Sequence, residues 1–155
     1  MAAPIITIVN KAGTTIANWD CGTVQANNDS ATLEILIWNN KGNSTAVSDL
    51  KDASLTTLDI DGGISSDVVQ GKWVQVHVPS MDNEGTWTQI GGSTLKYIRA
   101  DGCNSSDGYV IKGGANDGSS SATTNFSTCN LKVHVPLNAT PGVKTWKTRL
   151  NGYYV

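Results

Sequence analysis

Alternation of apolar and polar residues is the dominant signal along this chain, and it is clearest in three stretches. In residues 31–44 (ATLEILIWNNKGNS), Ala31, Leu33, Ile35 and Ile37 fall on one side of an extended segment. Thr32, Glu34, Leu36 and Trp38 fall on the other, and an Asn/Gly-rich turn stops the run. Residues 72–78 (KWVQVHV) set Val74, Val76 and Val78 inward and Trp73, Gln75 and His77 outward, with Pro79 ending the pairing. Residues 130–135 set Leu131, Val133 and Val135 inward, with Lys132 and His134 outward. Shorter strands are expected at residues 5–9, 16–24, 54–60, 86–90, 95–98, 109–112 and 143–150, with a last aromatic piece at Tyr153-Tyr154-Val155. Residues 48–53 suit a short helical turn capped by Ser48 or Asp49. Residues 113–124 (GGANDGSSSATT) read as an exposed, mobile loop. About nine or ten short strands without a long helix define an all-β chain, arranged as an antiparallel two-sheet sandwich.

Length and composition narrow this further. The chain of 155 residues suits one domain spanning 1–155, large enough to bury roughly 68–70% of its unfolded surface. Charged residues make up 15%, against about 25% in an average domain, so neutral polar groups carry the solubility. Net charge is −2 and basic residues are scattered singly, which argues against nucleic acid as a partner. No apolar run approaches the ~20 residues of a membrane span. The N-terminus lacks the basic and apolar regions of a secretory signal, and the initiating Met1 favours a chain made without one. Three cysteines (Cys21, Cys103 and Cys129) do not form a disulfide framework; a Cys103–Cys129 bridge is one reading, and three reduced thiols is the preferred one.

Candidate chemistry is sparse. His77 and His134 occupy twin segments, VHVP, and would meet if their strands were neighbours, but no third ligand is spaced to complete a metal site. Asp59-Ile60-Asp61-Gly62 begins like a calcium loop and lacks its later ligands, so its Asp-Gly pair reads as a turn. No G-x-S-x-G is present, and Glu34 and Glu84 are the only glutamates, so no catalytic residue and no cofactor is assigned. Five Trp are the unusual feature. Trp38, Trp73, Trp87 and Trp146 are the candidate interaction surface, because Trp favours places where an apolar body meets a wet edge.

Three stretches carry a family likeness. Residues 19–24 (WDCGTV) followed by residues 33–43 (LEILIWNNKGN), together with residues 133–142 (VHVPLNATPG), resemble immunoglobulin-like domains of the MSP/ASPM type. Such domains have about 100 residues, so the extra strands and loops of this chain are expected within residues 62–124. In overall style the chain also resembles small head-decoration and auxiliary virion proteins of tailed bacteriophages. That resemblance implies a non-enzymatic structural protein, made in the bacterial host cytoplasm and placed in the virion. Its implied partners are the major capsid protein and further copies of itself, as a homo-oligomer. The alternative is a module that binds glycans or host surfaces through its Trp residues and the loops at one end.

Overall fold

The computed structural model describes residues 1–155. Nine strands form two antiparallel sheets: β1 (Ile6–Val9), β2 (Asn28–Asp29), β3 (Leu33–Asn39), β4 (Lys51–Leu58), β5 (Val74–His77), β6 (Thr88–Ile90), β7 (Lys96–Tyr97), β8 (Phe126–Val135) and β9 (Lys147–Tyr153). The larger sheet runs β1-β3-β8-β5-β6, with β2 added to the end of β8, and the smaller runs β7-β4-β9. A core of Ile35, Ile37, Leu131, Val133, Val74 and Val76 from the larger sheet meets Ala53 and Leu55 from the smaller. The three clearest alternating stretches are thus β3, β5 and β8, adjacent at the centre of one sheet. Of the residues expected inward, Ile35, Ile37, Val74, Val76, Val78, Leu131 and Val133 are each at most 5% exposed, Leu33 and Val135 at the strand ends are half-buried, and Ala31 lies exposed before β3.

Several local expectations change. Residues 16–24 form no strand: Ile16 donates to the Ile8 carbonyl, and beyond it the chain runs across to the smaller sheet without pairing. Residues 51–53 are strand, not helical turn, with Asp52 in left-handed backbone (φ +48°) at a bulge against β9. The helix instead is a single turn, α1 (Asp67–Gln70), capped by the Ser66 hydroxyl accepting from the Val69 amide. Residues 109–112 contribute only an isolated bridge, Leu50 with Ile111. Only β5 and β6 are paired strands consecutive in sequence; every other pairing joins strands separated by at least one intervening strand.

The back face of β3 is covered from within the chain. Trp38 is 2% exposed and lies against Phe126 (centroids 4.5 Å apart), with Val9 beside it and the Lys41 ammonium 5.5 Å from its ring. Beyond Trp38, asparagines tie the end of β3 to residues 111–125. Asn39 accepts from the Ile5 amide and donates to the carbonyls of Ser48 and Ile111. Asn40, in left-handed backbone (φ +66°), donates to Thr45, Gly113 and Gly114. Asn116 closes on Asn40 and Gly42, and Asn125 donates to Asn39, Lys112 and Gly114. The loop at residues 113–124 is therefore exposed as expected at several positions, yet fastened at its base.

Candidate functional site: an aromatic groove

The smaller sheet has three strands and faces a larger one, so the layers do not match at the side where β1 and β9 lie. Two stretches of chain cross that side: residues 16–26, leaving β1, and residues 139–146, entering β9. Between them and the sheets lies a groove with lobes of about 730 and about 430 Å³. Trp19, Lys144 and Trp146 line both lobes. Trp73, Val68 and Val133 floor the larger, and Ile8, Ile16, Ile37 and Leu150 floor the smaller.

The indole rings of Trp19 and Trp146 meet edge to face, 5.7 Å apart, which fixes the two crossing stretches to one another. Trp73 sits just before β5, after Lys72 in left-handed backbone (φ +54°), so it leaves the strand's alternation and turns into the core at 5% exposure. Its outward placement in the sequence reading is corrected on that ground. Lys144 places its ammonium 5.7 Å from the Trp73 ring and 2.6 Å from Asp67, the first residue of α1. The Lys144 ammonium holds the Asp67 carboxyl below the usual carboxylate range, and Thr140 adds a hydrogen bond to the same oxygen. Cys21 lies in the wall, its thiol pushed up mainly by burial. Residues 17–24 and 140–146 make no backbone–backbone hydrogen bond, and apart from Gly22, bonded to the Asp20 carboxylate and the Cys21 thiol, their amides and carbonyls have no partner within the chain.

Of the four candidate Trp residues, the structure therefore joins two, Trp73 and Trp146. Trp19 and Lys144 complete the set; the pattern around Trp19 suggested strand, which hid its role as a wall. Trp38 is buried against Phe126, away from the groove, and its assignment to an interaction surface is corrected. Trp87 is half-buried on the outer face of the larger sheet, where His77 lies 5.6 Å away and the Lys132 ammonium 4.5 Å above its ring.

The same outer face separates the two histidines. β5 and β8 are neighbours, but their antiparallel register sets His77 opposite Asn130, four residues before His134. His77 bonds to the Thr86 carbonyl, while His134 and Lys132 both bond to Asp29 at 2.7 Å, clasping β2 to β8. No group of three or more His, Cys, Asp or Glu is placed to hold a metal ion. All three cysteines are free, and burial pushes the Cys129 thiol up to about 12. No helix is long and apolar enough to cross a membrane. Comparison with protein-family models, with curated proteins and with solved structures finds no match to this chain.

Proposed function

We propose that this chain is a non-enzymatic immunoglobulin-like sandwich of a tailed-bacteriophage virion, which attaches to the shell by taking an extended segment of a neighbouring protein into the aromatic groove. The observation that carries this reading is the character of the groove. Its floor is apolar and aromatic, while both walls offer unpaired backbone, and an extended peptide satisfies both at once. Val143, 95% exposed, belongs to the groove lining and extends its apolar surface outward. Two of the three stretches that resemble immunoglobulin-like domains, residues 19–24 and 133–142, supply much of the larger lobe's lining, which ties the likeness to the site. The major capsid protein is the proposed partner, and the proposed mechanism is passive reinforcement.

Mass spectrometry of purified virions from the source phage tests the setting: the protein is expected among the virion components, and its absence rejects the reading. Trp146→Glu sets a charge on the groove wall and is expected to abolish binding to isolated capsids while the fold persists. Unchanged capsid binding by that variant rejects the groove as the contact. A second reading, glycan binding, draws on the Trp19–Trp146 pair beside the polar Asp67–Lys144 bridge, since indoles stack on sugar rings while charged groups bind hydroxyls. Glycan-array binding lost in Trp146→Ala would favour it over the first.

A further inference from the structure

Strand β9 is an edge. It pairs with β4 on one side, and no backbone hydrogen bond reaches its other side over the whole length Lys147–Tyr153. A seven-residue edge with one row of free amides and carbonyls is a template for another strand. No strand of the smaller sheet lies beyond β9 to match β1 of the larger, so a strand added there extends the sheet that is short.

We propose that β9 is a self-association edge, on which two copies of this chain pair antiparallel about a two-fold axis at Leu150. The sequence of β9, KTRLNGY, is complementary to itself in that register. Leu150 meets Leu150 on the inner face, and Thr148 lies opposite Gly152. On the outer face Lys147 lies opposite Tyr153 and Arg149 opposite Asn151, so each cation meets an aromatic ring or an amide. Moving the axis to Thr148 sets Lys147 against Arg149, and moving it to Arg149 sets Arg149 against itself; like charges directly opposite disfavour both. The charged residues that usually blunt an exposed edge here disfavour both of those shifted registers, and only the register centred on Leu150 pairs the whole strand. All seven residues pair, giving about six to eight backbone hydrogen bonds, and the two smaller sheets become one continuous sheet. Tyr153, half exposed in the single chain, is covered. The partner is a second copy because the register is self-complementary, and a two-fold interface requires that property.

This inference rests on the reading above only for its biological setting, because the dimer is measured on purified protein and does not depend on detection in virions. Sedimentation equilibrium across micromolar to millimolar concentrations is expected to show a monomer–dimer equilibrium. Tyr153→Lys places a second cation opposite Lys147 twice per dimer and is expected to weaken association roughly tenfold. The double variant Lys147→Glu, Tyr153→Lys is expected to restore it. Hydrogen exchange on the unaltered protein supplies a reading that needs no variant: amides of residues 147–153 should gain protection as concentration rises. A protein that stays monomeric, a dimer indifferent to Tyr153→Lys, or β9 exchange independent of concentration overturns the proposal.

Discussion

Replacing Asn39 by Asp changes one NH₂ group for one oxygen and tests the asparagine fastening directly. Asn39 is fully buried, and its side chain makes three hydrogen bonds: it accepts from the Ile5 amide (3.0 Å) and donates to the carbonyls of Ser48 (2.9 Å) and Ile111 (3.2 Å). A carboxylate keeps the first and loses both others. The Ile111 carbonyl still accepts from the Leu50 amide, whereas the Ser48 carbonyl has no other donor. One buried acceptor left unpaired costs about 1–3 kcal/mol, and a carboxylate turned toward carbonyl oxygens in a closed site adds a comparable amount. The expected loss at pH 7 is therefore roughly 3–5 kcal/mol, or about 6–20 °C in melting temperature for a chain of this size. Burial raises the folded-state pKa of the introduced carboxyl above its unfolded value of about 3.9. Between the two values the folded state holds more protons than the unfolded one, so stability falls as pH rises. The penalty is full above the folded-state pKa and shrinks as pH falls toward about 4, where the protonated carboxyl donates one bond again. Urea unfolding followed by Trp fluorescence, at pH 7 and near pH 4.5, measures both effects against the unaltered protein. A loss below about 1 kcal/mol, or one that does not change with pH, would refute the reasoning.

Trp38→Ala opens a cavity beside Phe126 and should cost about 3–5 kcal/mol, while half-buried Trp146→Ala should cost clearly less; equal losses in urea titrations would contradict the assignment of one to packing and the other to the groove. Cys129 should resist thiol reagents in the native protein and react only after unfolding, because it is fully buried with its thiol pushed up to about 12, whereas Cys21 and Cys103 are partly accessible; peptide mapping of labelled protein distinguishes them. Asp29 is held below the usual carboxylate range, first by its hydrogen bond from Lys132 and then by that from His134. Its contribution is present above its unfolded pKa and is lost as pH falls through the lowered folded value. Its side chain is 41% exposed, so solvent screening keeps Asp29→Asn within about 1 kcal/mol, and a larger loss by chemical denaturation would contradict this.

How much of this was legible in the sequence depends on which interactions hold each residue. β3, β5 and β8 declared themselves because one face of each lies on the core, and a period of two survives wherever burial is one-sided. Trp38 misled because its alternate face is also covered, by Phe126 and Val9 brought from distant parts of the chain. Trp73 misled because the left-handed backbone at Lys72 reorients the chain just before β5, and hydropathy does not encode that bend. The Asn-rich segments looked like loops, which they are, but the bonds joining Asn39 and Asn40 to residues 111–114 connect positions more than seventy apart in sequence.

Residues 16–24 are the most informative difference. They read as an extended piece broken by Gly22, and Gly22 is indeed in left-handed backbone (φ +70°), yet they pair with nothing beyond Ile16. The cause lies in the unequal sheets: the chain leaves β1 on the larger sheet and must cross to the side of the smaller before β2 returns it to β8. A crossing segment has apolar residues to bury, Ile16 and Trp19 among them, but no strand beside it to accept its backbone. The same mismatch that removes this strand therefore creates the groove and frees β9. An extra strand built into the smaller sheet beside β9 would occupy the association edge and give the crossing segment a neighbour to pair with, so both features trace to one missing strand.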